Sequence, residues 1–182
     1  DPEQLPCTRD NLYFRRSVRD LAEFDGCEAT VEDILETRQK WDYLELCRTM
    51  FAKANLSHWL VDDGIWTDRL WSVRECAERL PPKVHRVARL ETELATFVPR
   101  YDSVGKLFDA FAAHLQQLAP NIAAFKSIIA YRTGLKISRH HSSTLERAFT
   151  DLKRDLRPGQ IPRINTQAIL DEALWVALEI AA

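Results

Sequence analysis

Residues 123–135 read "AAFKSIIAYRTGL", and the reading of this stretch decides the fold. A short apolar run rich in isoleucine and alanine predicts a buried β-strand, here over "IAAFKSIIAY", residues 122–131. Two charges sit awkwardly in it: Lys126 inside the run and Arg132 at its end, after Tyr131. Side chains alternate along a strand, so Lys126, Ile128, Ala130 and Arg132 are expected on one face. An ammonium buried without an anion is costly, so Lys126 demands a carboxylate partner. The available ones are Asp62, Asp63 and Glu91, each near the end of another apolar run.

Those runs are "LSHWLVDDG", residues 56–64, and "VHRVARLE", residues 84–91, the second decorated by Arg86, Arg89 and Glu91. Helical periodicity is expected over 68–79, stopped by Pro81-Pro82, then over 103–118, about 143–155, and from about 166 onward. From residue 56 the order is β-α-β-α-β-α-α. Strands alternating with helices imply a parallel sheet with right-handed crossovers. Three parallel strands leave two open edges, and a (β/α)8 TIM barrel takes about 250 residues. The expected class is therefore α/β, with residues 56–182 the central part of a barrel in a longer chain. Residues 1–55 read as a helical insertion. One helix covers 8–24, opened by a Thr/Asp cap and stopped at Gly26. A second starts at Thr30 and breaks near Trp41-Asp42.

The 182 residues are 46% hydrophobic and 29% charged, with a net charge of −2. That balance gives no footprint for nucleic acid or an anionic membrane surface. No apolar run approaches the roughly 20 residues that cross a bilayer. Cys7, Cys27, Cys47 and Cys76 form no C-x-x-C pair and keep no His company, so they read as reduced thiols in a cytoplasmic protein.

In a parallel α/β fold, ligands bind beyond the carboxyl ends of the strands. The charge gathered there reads as a pocket for an anionic or metal-bound substrate. The plainer reading is a charge network filling a polar interior. The catalytic candidates are Asp63, Glu91 and Lys126. Asp62, Arg86, Arg89, Tyr131, Arg132 and His140 are the substrate-binding candidates, and no metal ligand is assigned. His58, His85 and His114 read as packing or surface residues. No H-x-H, H-E-x-x-H, G-x-S-x-G, Walker A or G-x-G-x-x-G motif occurs.

Four strings stand in one order: "NLYFRRSVRDLAEFDGC", "FAKANLSHWLVDDGI", "VHRVARLETELA" and "FKSIIAYRTGLKI". Together they resemble the amidohydrolase-like domain that occurs alone in bacteria. In nodulin/glutamine-synthetase-like and fluffy-type proteins it is fused to a glutamine-synthetase-like domain. The resemblance implies a metal-dependent hydrolase on a TIM barrel, with Leu56–Asp62, Val84–Leu90 and Ala124–Tyr131 as strands two, three and four. It implies a zinc or manganese ion in the complete protein, whose activated water attacks a C–N or ester carbonyl of a small-molecule substrate. The H-x-H ligands would stand on a strand before Asp1, and further His and Asp groups beyond Ala182. Lys126 matches a position where some members use a bridging lysine. Asp63, Glu91, Lys126 and Arg132 would orient substrate or balance its charge. Two other readings stay open: a non-catalytic scaffold or regulatory module beside a glutamine-synthetase-like domain, and a helical adaptor using the first 55 residues. Homo-oligomerisation is left open as well.

Overall fold

The computed structural model describes residues 9–64, 70–154, 156–157 and 159–182. It divides into two compact units, Asp1–Asn55 and Leu56–Ala182.

The first unit is helical. Helix α1, Leu12–Asp25, is capped by Asn11, whose side chain accepts from the Tyr13 N–H at 2.8 Å. The cap is thus one step inside the Thr/Asp signal read from sequence. Gly26 ends the helix at φ 69°, a conformation glycine adopts without steric cost, and its N–H donates to Ala22 O. Thr30 caps α2, Val31–Gln39, and Asp42 caps α3, Tyr43–Lys53, so the second helical stretch does break beside Trp41. Arg38 binds Asp25 at 3.0 Å, and the Asp25 side chain is fully enclosed.

The second unit carries three strands: β1, His58–Asp62; β2, Lys83–Arg89; and β3, Ala124–Lys126. They pair in the order β1-β2-β3, all parallel, with Asp62 opposite Val87 and Arg89 opposite Lys126. Helix α4, Val73–Arg79, lies between β1 and β2 and opens with a capping box of Ser72 and Glu75. Helix α5, Leu90–Phe97, follows β2 with no loop between. Then come α6, Val104–Leu118, capped by Ser103, and beyond β3 the helices α7, Ser142–Arg154, and α8, Gln167–Ala181.

The core lies among helices. Leu107, Phe111 and Leu115 recur along α6 and meet Leu94 of α5, Phe149 of α7 and Ile169 of α8, all at most 2% exposed. Each such side chain contributes about 1.5–3 kcal/mol of transfer free energy. Across the sheet Ala88 is sealed, whereas Leu60 is 56% exposed. The strands are therefore not buried on both faces as their apolar runs suggest.

The third run is the larger departure. Residues 122–131 yield a strand of only three residues, followed by a 3-10 turn at Ile129–Tyr131. The reason lies outside the run: Glu91 Oε1 accepts the Ile128 N–H at 2.9 Å and the Ser127 hydroxyl at 2.6 Å. The backbone N–H that would continue the ladder is taken by a side chain. The N–H groups of Arg132, Thr133 and Gly134 then fold back on Ile129 O. Lys126, Ile128, Ala130 and Arg132 consequently share no strand face. Glu91 is likewise not on a strand with Arg89, because it sits in the first turn of α5. The run Leu90, Leu94, Phe97 has helical spacing and buries one stripe.

Among the cysteines, Cys76 is buried in α4 and Cys27 and Cys47 are half-buried; all three are free thiols. No described helix is long and apolar enough to cross a membrane.

Candidate functional site

Asp62, Arg89 and Lys126 are the last residues of β1, β2 and β3, so the parallel register delivers all three to one end of the sheet. Asp62 Oδ2 accepts from Arg89 Nη2 at 2.6 Å, Arg89 Nε at 3.1 Å and Lys126 Nζ at 2.7 Å. Its Oδ1 accepts the Gly64 N–H at 2.9 Å, which closes the Asp-Asp-Gly turn. Burial works against ionisation of Asp62. The hydrogen bonds from Arg89, Lys126 and Gly64, with the Arg89 charge, outweigh it and lower the pKa from 3.8 to about 2. Lys126 thus has the carboxylate partner its sequence position demands, although its side chain is 45% exposed rather than buried.

Gly64 is part of the same construction. Its carbonyl accepts from Arg89 Nη1 and from the Thr92 hydroxyl, both at 3.3 Å. A Cβ at this position would lie 3.0 Å from Arg89 Cβ and Nε and from Thr92 Oγ1, so the turn can approach this closely only without a side chain.

Arg86 points the other way, as alternation along β2 requires, and meets Asp63, the residue after β1. Arg86 donates to Asp63 Oδ2 at 2.9 Å and to Glu93 Oε1 at 2.7 Å, and the other Glu93 oxygen meets His114 Nε2 at 2.8 Å. Burial lowers the proton affinity of Arg86, and the bonds to Asp63 and Glu93 more than restore it.

The remaining candidates make no hydrogen bond to Asp62, Arg89 or Lys126 among the described residues. Glu91 is 5% exposed and spends Oε1 on the exit of β3, while its Oε2 has no hydrogen-bond partner among the described residues. Tyr131 is 87% exposed. Arg132 donates from Nη1 to Ile164 O and Asn165 Oδ1, each at 3.1 Å. His140 Nε2 meets Asp171 Oδ2 at 2.7 Å, and the Ser138 N–H donates to the same oxygen at 3.2 Å. Asp171 is fully enclosed and is absent from the sequence reading. The signal for it is an acid on the apolar stripe of α8, between Ile169 and Ala173. Glu93 is likewise absent from the sequence reading, and His114, read as a packing or surface residue, is its partner. At the opposite end of the sheet, His58 Nδ1 and His85 Nε2 meet at 2.8 Å, with ring centroids 5.0 Å apart.

No three His, Cys, Asp or Glu side chains gather to hold a metal among the described residues. Asp62, the best-placed carboxylate, has both oxygens committed to N–H donors. These residues do not fit a metal centre.

Searches against family models and against curated proteins find no match. Among solved structures, the chain resembles the crystal structure of a "putative metal-dependent hydrolase" from Lactobacillus casei ATCC 334. The TM-score is 0.77 at 22% identity, over 97% of this chain and 46% of that one. The likeness is one of fold. This chain therefore shares the fold of that protein and spans less than half of its length.

Proposed function

We propose that this chain is the central part of a (β/α)8 hydrolase barrel, comprising strands two to four and a preceding helical insertion. On this reading its strand-exit cluster Asp62, Arg89 and Lys126 orients a small-molecule substrate. The observation that carries it is the convergence of three strand ends on Asp62 Oδ2, at the end of the sheet where parallel α/β folds bind ligands. The fold likeness to the Lactobacillus casei protein supports the hydrolase class. Scission of a C–N or ester bond is the amidohydrolase expectation. The described residues take the positioning part of it and supply no metal ligands. Asp63 is held by Arg86, and Glu91 by the exit of β3, so neither is offered as a proton carrier.

The test uses the whole polypeptide that carries this chain, stripped with chelator, reloaded with zinc or manganese, and assayed on amides and esters such as N-acetyl amino acids and p-nitrophenyl acetate. Metal-dependent hydrolysis is expected, with kcat/KM lowered about tenfold or more by Lys126→Met. Hydrolysis indifferent to both metals, or none on any substrate, would remove the reading in favour of the scaffold.

A further inference from the structure

The carboxylate shared at the strand exits does not balance the cations around it. Asp62 is shared by Arg89 and Lys126, so one positive charge of that trio is uncompensated. Lys126 reaches its partner with one of three N–H donors, and its side chain is nearly half exposed. Among the described residues Arg132 bonds only neutral acceptors, Ile164 O and Asn165 Oδ1. Arg163, next to that acceptor, is exposed and makes no hydrogen bond or ion pair with the described residues. Burial lowers the proton affinity of Arg132. The charges of Arg163 and Arg89 lower it further, against an opposing pull from Glu91. Two cations thus share one carboxylate at Asp62, and the charge of one of them, Arg89, also reaches Arg132, which has Arg163 as a second cationic neighbour. Guanidinium groups that repel each other beside a shared carboxylate are relieved by an anion from outside.

We propose that the strand exits receive an oxyanion of the ligand, a carboxylate or a phosphate group, with Lys126 as the direct donor and Arg132 and Arg163 supplying the surrounding positive field. Asp62 is then the anchor that holds Lys126 and Arg89 in position, and not a base. The inference rests on the hydrolase reading in that it names the substrate class of the same site.

Its test needs no turnover. The whole polypeptide, free of metal, is titrated calorimetrically with succinate and with inorganic phosphate, and with succinamide as the uncharged control. Binding of at least one anion is expected, weakening as salt rises. Lys126→Gln should weaken it about tenfold, and Lys126→Arg should retain it within about threefold, since a charge-assisted hydrogen bond is at stake. Arg163→Gln, at an exposed position where folding is not in question, should weaken it about two- to threefold and flatten the salt dependence. Whichever of succinate and phosphate binds more tightly identifies the oxyanion. Equal affinity for succinamide, or affinity unchanged in both Lys126→Gln and Arg163→Gln, overturns the proposal. Oxyanion binding without hydrolysis would remove the catalytic reading alone. Metal-dependent hydrolysis without oxyanion binding would remove this inference alone.

Discussion

Arg86 and Arg89 stand three positions apart on β2 and lead opposite electrostatic lives. Arg86 meets two carboxylates, Asp63 and Glu93, and the second of these also takes up His114, so the group is closed on itself. Arg89 meets one carboxylate and must share it with Lys126. The first arrangement ties the turn after β1 to α5 and α6 and has nothing left to offer a ligand. The second ends on a half-exposed ammonium. Ion pairs of similar length thus divide into those that finish the fold and those that leave charge available, and the count of partners, not the distance, separates them.

The comparison can be broken most directly at Arg89. Arg89→Met removes two donors from a carboxylate that is 14% exposed and leaves Asp62 with Lys126 and a backbone N–H. A loss of about 3–5 kcal/mol in urea unfolding of the whole polypeptide is expected. A loss below about 1 kcal/mol would mean that the trio is not held as described.

Acid probes the same carboxylate. Because the folded pKa of Asp62 lies below its ordinary value, its contribution is fully present above about pH 4 and disappears as pH falls toward about 2. The depression corresponds to about 2 kcal/mol. Asp62→Asn should flatten the dependence of the urea midpoint on pH in that window. An unchanged slope would place the acid sensitivity elsewhere.

The closed network should respond less. Glu93→Gln keeps the shape and removes the charge between Arg86 and His114, for an expected cost of roughly 1–2 kcal/mol and no effect on anion binding. Lys126→Met gives the smallest stability change, below about 1 kcal/mol, since the side chain is half in water. If its effect on stability exceeded that of Glu93→Gln, the division between fold-finishing and available charge would be reversed.

Lys126 shows how much of the site was legible. The cost of an unpaired ammonium predicted a carboxylate partner and left Asp62, Asp63 and Glu91 as the candidates; the structure selects Asp62. The helices over 104–118 and 142–154 were written in their apolar spacing. What sequence did not disclose were departures from local pattern imposed at a distance. Glu91 ends β3 by capturing Ile128 N, thirty-seven residues away, and nothing within "AFKSIIAY" announces it. The junction of β2 with α5 has no glycine, proline or turn residue to mark it, so "RLE" read on as strand. Asp171 is an acid enclosed among apolar side chains, and its one trace in the sequence is its place on the apolar stripe of α8.

The thiols have a practical consequence. A cysteine reacts as thiolate, and enclosure in α4, helped by the neighbouring Glu75 charge against that of Arg79, raises the pKa of Cys76. Cys27 and Cys47 lie half-open in the other unit. An alkylating reagent therefore keeps two clocks at once: early labelling reports on the helical segment as it stands, and labelling at Cys76 waits for the sheet-bearing segment to open.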